Sequence, residues 1–399
     1  MTPFTGYLRQ DGRKGIRNVV AVVYLVECAH HVAREISVPF REQGVHLIGF
    51  PGCYPNAYAH RIMEAICTHP NVGAVLLVSL GCESFARGRL AQVIAATGRP
   101  VQTLVIQERG GTRNTVAEGR AWVESVLPAL SGVERVPMRV DELVVGTICG
   151  GSDATSGLTA NPAIGLAFDR LVSEGAACIF EETGELIGCE AMLARRSVTR
   201  ELAAEVVASV DKARAWYDAM GHGSFASGNA EGELTTQEEK SLGAYAKSGS
   251  GPLHGLIKPG DVPPRGGLYL LDVVPDGDVK WGFPNIVDNA EIGELIACGS
   301  HVILFATGRG SVVGSAVSPV VKVCGNPQTF ARLADDMDVN AGAVLTGDTD
   351  LAAIGDEIYR LTLEVAAGAP TRSEDLGHQE FILTYKSFEP IGPACLPVI

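Results

Sequence analysis

Apolar, strand-like runs that end directly in short polar motifs of small residues recur along this chain. Val72–Leu80 leads into Gly81–Ser84 (Gly-Cys-Glu-Ser), and Leu143–Ile148 leads into Cys149–Asp153 (Cys-Gly-Gly-Ser-Asp). His301–Ala306 leads into Thr307–Ser311 (Thr-Gly-Arg-Gly-Ser). A fourth motif, Glu238–Gly243 (Glu-Glu-Lys-Ser-Leu-Gly), stands inside a Gly- and Ser-rich stretch. Parallel sheets put their chemistry at such places, because the carboxyl ends of neighbouring strands aim short loops into one crevice. Four motifs carrying Cys, Asp, Glu, Lys and Arg point to one composite polar site.

The alternation of strand, loop and helix recurs at roughly 25–35 residues, which predicts an α/β fold of successive doubly wound βα units with mostly parallel sheets. Strands are expected over 15–28, 46–50, 72–83, 101–107, 142–149, 177–180, 267–273 and 301–307. Helices are expected over 57–68, 162–174, 190–217, 288–297 and 348–366. A chain of 399 residues accommodates about two to three domains. Residues 1–135 read as an N-terminal βα domain and 136–399 as a catalytic C-terminal α/β region, divisible into 136–265 and 266–399. Residues 222–265 read as a long active-site loop with a helical island near 236–247, since they combine Gly, Ser and Pro with clustered charge.

Net charge is −14 with no block of Lys or Arg, which argues against nucleic acid as a partner. An anionic substrate must then meet a local cationic pocket. No apolar run reaches the length of a membrane span and no basic-then-apolar leader is seen, so a cytoplasmic location is expected. The ten cysteines then read as reduced thiols. Without a CxxC or HExxH pattern, a metal site has to be assembled from distant segments.

Cys53, Cys82 and Cys149 sit in Gly-flanked loops after expected strands, and Cys28 stands at a similar junction. Thiolates from separate loops suit iron or an iron–sulfur cluster; small thiols packing loop corners are the other reading. Gly150, Gly151, Ser152 and Asp153 offer backbone N–H groups to an anion, or a plain helix cap. The Gly110–Gly111–Thr112 turn beside Arg109 is a second anion candidate, or a solvated turn. Glu181, Glu182 and Glu185 crowd a strand end, where carboxylates bind a divalent ion or raise one another's pKa; a solvated acidic loop has the same composition. Lys240 beside Glu238 and Glu239 is either a desolvated base or a surface ion pair. Arg309, framed by glycines, suits a carboxylate or oxyanion. Of His30 and His31, one is expected to face the crevice.

Long motifs carry a resemblance: Gly6–Asn18, Leu80–Glu83, Cys149–Gly165, Leu234–Ala244, Thr307–Ser311 and Asp336–Gly342. Together they resemble the altronate/galactarate dehydratase family over essentially the whole chain. The resemblance implies a metal-dependent lyase using Fe2+, with an iron–sulfur cluster or Mn2+ as alternatives. It implies a small 2-hydroxy acid substrate whose carboxylate and 2-hydroxyl chelate the metal, so that the C2 proton is acidified and the β substituent leaves. It also implies a small SAF-type partner subunit, hence a hetero-oligomer. The roles it suggests are metal ligation by Cys53, Cys82, Glu83 and Cys149, and acid/base work by His30, Asp153, Glu182 and Lys240. Anion binding is expected of Arg17, Arg109, Gly110, Gly111, Thr112, Gly150, Gly151 and Arg309, with Asn18, Ser152, Asn161 and Lys322 as polar positioning groups. Two departures bear on substrate: Tyr54 replaces a glycine of the sugar-acid members, and Ser84–Phe85 replaces an amide pair. A smaller pocket with fewer hydroxyl partners favours a short, doubly anionic substrate such as sulfolactate, with Arg109 on the sulfonate; a sugar acid losing water is the alternative.

Overall fold

The computed structural model describes residues 4–221, 228–276 and 287–386. Phe4–Leu8 (β1) and Lys14–Gly15 (β2) pair antiparallel at the start of the chain. Val19–Tyr24 (β3), Val45–Gly49 (β4), Val72–Ser79 (β5) and Val101–Val105 (β6) then form a parallel sheet in the order β4-β3-β5-β6. Arg135–Met138 (β7) returns to β1 and closes a small antiparallel sheet at the junction. Val144–Cys149 (β8), Ala177–Phe180 (β9), Leu253–Ile257 (β10), Gly267–Leu271 (β11), Val302–Thr307 (β12), Val320–Cys324 (β13) and Val339–Asn340 (β14) follow. They form one parallel sheet in the order β10-β11-β9-β8-β12-β13-β14. The protein is therefore an α/β fold, and position 265/266 lies between two paired strands of one sheet.

The strands read as unbroken apolar runs because both faces are covered: all eight residues of β5 and all six of β12 are buried. Pleating still sorts them. Val302, Leu304 and Ala306 enter one core, while Ile303 and Phe305 enter another that also holds Ala21, Val23 and Leu77 of the four-stranded sheet. That second core is continuous between the sheets, with the Ala57–Cys67 and Asp288–Ala297 helices packed on each other inside it.

Three differences from the sequence reading have local causes. The helix expected over 190–217 is two helices, Glu190–Arg196 and Arg200–Met220, because Thr199 turns its hydroxyl onto the Leu202 N–H at 3.1 Å and starts the second. Inside the stretch read as a loop, Leu253–Ile257 forms an edge strand too short to show an alternation. The β13 run went unread because Lys322 interrupts its apolar pattern, yet that side chain is buried.

Candidate active site

The chain order of the large sheet reverses at β8: β9 is added on one side and β12 on the other. The carboxyl end of β8 is thus a topological switch point, where α/β proteins bind ligands. Cys149 is the last residue of β8. β9 ends at Phe180, and Glu182 then takes a left-handed backbone (φ 82°) that swings the chain into a tight turn over Thr183–Leu186. Such a conformation costs on the order of 1–3 kcal/mol for a non-glycine residue and persists where surrounding contacts enforce it. The turn brings Glu182 and Glu185 back beside Cys149: Glu182 Oε2 accepts from Cys149 N at 3.1 Å and Sγ at 3.2 Å, and Glu185 Oε2 lies 3.4 Å from Sγ.

Two ammonium groups enter from the Gln237–Ala246 helix and its end. Thr236 and Glu239 close a capping box at its start, so Glu239 is occupied with the backbone rather than with chemistry. Gly243 packs against Gly157, where a methyl group would stand 3.1 Å from the facing Cα. This close approach lets Lys240 Nζ reach Ser152 Oγ at 2.9 Å, Glu185 Oε1 at 2.7 Å and Cys149 Sγ at 3.4 Å. Lys247, fully buried, pairs with Glu182 and lies 3.4 Å from the same sulfur. Burial alone pulls Lys240 down, but Cys149 and Glu185 outweigh it and hold it above the ordinary lysine range. Burial pushes the Glu185 carboxyl up, against the pull of Lys240.

The Asp288–Ala297 helix supplies a second set of acids. Burial, with Glu185 nearby, pushes Asp288 up to about 6; a side chain at Gly150 would collide with its carboxylate. Glu291 is buried and pushed well above the usual carboxylate range by burial and by Glu181. Glu294 accepts from Tyr58 at 2.5 Å and pairs with the buried Lys386 at 2.8 Å. Sequence reading missed Asp288, Glu291, Glu294, Lys247 and Lys386. Acids at 288, 291 and 294, spaced along one side of an otherwise apolar helix, were the signal that a different count would have caught.

Among the described residues, two groups of side chains stand close enough to share a cation: Cys149, Glu182 and Glu185, and Glu181, Glu182 and Glu291. In the first, both carboxylates and the sulfur already face ammonium groups. In the second, Glu182 is shared with the first and pairs with Lys247, while both oxygens of Glu181 and Oε1 of Glu291 are buried without a hydrogen-bond partner. A divalent ion would satisfy all three, and carboxylate oxygens suit a hard or borderline one. This set fits the metal that the sequence motifs imply.

The structure gathers Cys149, Gly150, Gly151, Ser152, Glu182, Lys240 and Arg309 at one strand end. Arg309 N donates to Gly151 O at 2.8 Å and its guanidinium lies 3.3 Å from Glu231. Asn161 is buried behind Gly243 with its amide oxygen unpartnered. Asp153 has turn duties: Oδ1 accepts from Thr155 and Ser156 and Oδ2 from Asn326 at 3.0 Å, tying the β8 and β13 loops together. The other candidates lie elsewhere. Arg17 makes a two-pronged bond to Glu374 at 2.6 and 2.8 Å and donates to the Val365 and Ala369 carbonyls. Asn18 bridges Arg9 and the Leu130 carbonyl. Arg109 pairs with Glu118 at 3.1 Å beside the exposed Gly110 and Thr112, with Gly111 (φ 98°) starting the helix. Lys322 donates to the Val313 carbonyl at 3.3 Å, and burial draws it below the usual lysine value. His30 is half-buried, pairs with Glu27 at 3.0 Å and lies against Tyr24. Cys53 and Cys82 are exposed on loops of the smaller parallel sheet, where Glu83 accepts from Ser79 and from Gly81 N. Phe85 packs on Phe50 and His60, whereas Tyr54 is exposed.

A parallel sheet that collects a thiol, carboxylates and buried ammonium groups at its switch point is the framework of an α/β enzyme working by proton transfer. Comparison with known proteins gives that class its family. The model of the second domain of D-galactarate dehydratase/altronate hydrolase matches residues 6–131, and that of the C-terminal domain of D-galactarate/altronate dehydratase matches 140–388. The chain belongs to the D-galactarate/altronate dehydratase family and is a lyase. It is 33% identical to (2R)-sulfolactate sulfo-lyase subunit beta of Chromohalobacter salexigens, over 96% of this chain and 97% of that protein. It is 31% identical to galactarate dehydratase (L-threo-forming) of Escherichia coli (92% and 73%) and 28% identical to altronate dehydratase of Bacillus subtilis (95% and 77%).

Proposed function

We propose that this chain is the large catalytic subunit of a metal-dependent, β-eliminating lyase that converts (2R)-sulfolactate to pyruvate and sulfite. The observation that carries the reading is the buried set Cys149, Glu182, Glu185, Lys240 and Lys247 at the switch point. Sulfolactate is favoured by the 33% identity to the Chromohalobacter protein, against 31% and 28% to the galactarate and altronate dehydratases. That relative's name as a subunit beta supports a partner subunit, which the motif resemblance makes a small one of the SAF type. A cytoplasmic setting would keep the cysteines as thiols.

A divalent ion, Fe2+ in this reading, would be held by Glu181, Glu182 and Glu291 and would supply Lewis acidity to the substrate's carboxylate and 2-hydroxyl. Asp288, near neutral in pKa and half-exposed, takes the C2 proton. The C–H electrons form the C2–C3 double bond, the C3–S bond breaks, and sulfite leaves with its electron pair. Lys240, held protonated, offsets charge on the substrate, and the enol takes up a proton at C3 and releases its 2-hydroxyl proton to give pyruvate. Gly150, Gly151 and Ser152 line the anion's approach, with Arg309 at their edge.

A sugar-acid dehydratase is the second reading, favoured by the same Lys240, whose ammonium can protonate departing hydroxide. The test is anaerobic purification with the SAF-type partner and Fe2+, then assay of (2R)-sulfolactate for pyruvate and sulfite. Equal, iron-dependent release of both supports the reading. Inactivity there, with a 2-keto-3-deoxy acid formed from altronate or galactarate, replaces it with the second.

A further inference from the structure

Val45–Gly49 (β4) is an edge strand of the four-stranded sheet. Val20 N donates to Gly44 O and Phe50 N to Tyr24 O, both at 2.9 Å, so the even-numbered residues of β4 bond β3. The Leu47 N–H therefore points away from the sheet, on the side where no further strand pairs with β4. Along this edge, between the Glu27–Ser37 helix and the segment 379–381, lies a cleft of about 400 Å³, within the size range of small-molecule sites. Its floor is apolar, from Tyr24, Leu47 and Phe381, and its polar side is basic, from His30, Arg34 and Arg41. Among the described residues no carboxylate lines it, although the chain as a whole has a net charge of −14.

The two arginines are weakly engaged. Arg34 Nη1 lies 3.8 Å from Glu35 Oε1, and Arg41 has no carboxylate within 4 Å among the described residues. Gly377 leaves room for the Arg41 guanidinium: a methyl group there would stand 2.6 Å from Nη2. The acids of this region, Glu42, Glu374 and Asp375, line a neighbouring cleft that shares Arg41, and Glu374 is taken by Arg17.

We infer that this cleft binds a small organic carboxylate with an apolar body, at a site separate from the buried cluster of the large sheet. Guanidinium groups match the two oxygens of a carboxylate, and the outward Leu47 N–H adds a neutral donor. An inorganic anion would leave the apolar floor uncovered, and an uncharged apolar ligand would bury the basic side without a partner. The occupant therefore needs both halves.

Binding is read without turnover, so failure here and failure of the lyase reading are distinguishable. The full chain is titrated calorimetrically with benzoate, benzyl alcohol and inorganic phosphate at matched ionic strength. The expected result is saturable binding of benzoate, with benzyl alcohol and phosphate at least about tenfold weaker. Affinity for benzoate should fall by about tenfold or more in Arg41→Gln and in Arg34→Gln. It should fall as well in Val38→Glu, which adds an acid at an exposed position of the same cleft. It should be unchanged in Arg139→Ala, whose side chain pairs with Asp141 elsewhere. All four positions are at the surface, and thermal melting checks that each variant is folded. No saturable heat with benzoate, phosphate bound as tightly as benzoate, or affinity unchanged in both arginine variants would overturn the inference.

Discussion

The carboxyl ends of the two parallel sheets carry similar motifs and use them in opposite ways. On the four-stranded sheet, the groups after the strands are exposed or bound within their own loops: Glu83 bonds Ser79 and Gly81, His30 bonds Glu27, and Cys28, Cys53 and Cys82 are open to solvent. On the seven-stranded sheet, the groups are buried and pair across elements: Lys240 from a helix with Glu185 from a turn, Lys247 with Glu182, and Lys386 from the C-terminal strap with Glu294. Burial is what differs. It moves Glu185, Glu291 and Glu294 above the carboxylate range, while Glu83, the buried acid at the smaller sheet's strand ends, is bonded within its own loop. An exposed acid is solvated whatever its neighbours; a buried one is controlled by them. The large sheet is therefore where the proton transfer proposed above is placed.

The sharpest way to break this contrast is to remove a buried cation. Lys240→Met leaves Glu185 without its ammonium and Cys149 with that of Lys247 alone, so turnover should fall by about 10²-fold or more and stability by roughly 3–5 kcal/mol, read by initial rates and denaturant unfolding. Asp288→Asn should lower kcat/KM by about 10²-fold and abolish its fall below pH about 6, since the base form of Asp288 is lost as pH drops through that value. A pH–rate profile in which the acid limb survives would remove Asp288 from the mechanism.

The junction between the sheets makes a third prediction. His301 accepts from Val144 N and faces the Lys14 carbonyl, and burial depresses its pKa to about 4. The unfolded chain protonates this ring near 6.5, so its contribution is complete above that pH and lost as pH falls from about 6.5 towards 4. The share of His301 in the drop is up to roughly 3 kcal/mol over that window, so the drop should shrink by that much in a neutral isostere such as His301→Gln, while His46, His60 and His69, also depressed by burial, keep theirs. Arg17→Ala should cost about 1.5–3 kcal/mol through its lost bonds to Glu374, with KM unchanged; a raised KM would return Arg17 to substrate binding. Arg109→Ala should change stability by less than about 0.5 kcal/mol, as expected of an exposed ion pair. Its KM for sulfolactate then tests the sulfonate contact alone.

Sequence reading reached β3, β4, β5, β6, β8, β9, β11 and β12, because parallel strands buried on both faces are apolar runs that need no partner to be seen. It reached Cys149, Ser152, Glu182 and Lys240 because each stands in a motif beside such a run. Pairing was out of its reach. Arg17 and Asp153 have the chemistry of site residues, but their bonds to Glu374 and Asn326 join positions more than 170 residues apart in sequence. Lys386 and Glu294 had no motif, and only the path of the C-terminal strap across the shared core brings them together. Tyr54 and Phe85 show the same limit: both are bulky in sequence, yet one is exposed and the other packs under its own loop.

The most direct measurement is a steady-state assay of pyruvate and sulfite release from (2R)-sulfolactate by the iron-loaded complex, with wild-type and Lys240→Met chains each checked for folding by thermal melting. The account predicts matched release of both products by the wild type and loss of at least about 10²-fold in kcat in a variant that still melts cooperatively. A folded Lys240→Met chain with unchanged kcat would contradict the claim that the buried cluster of the large sheet is the chemical centre.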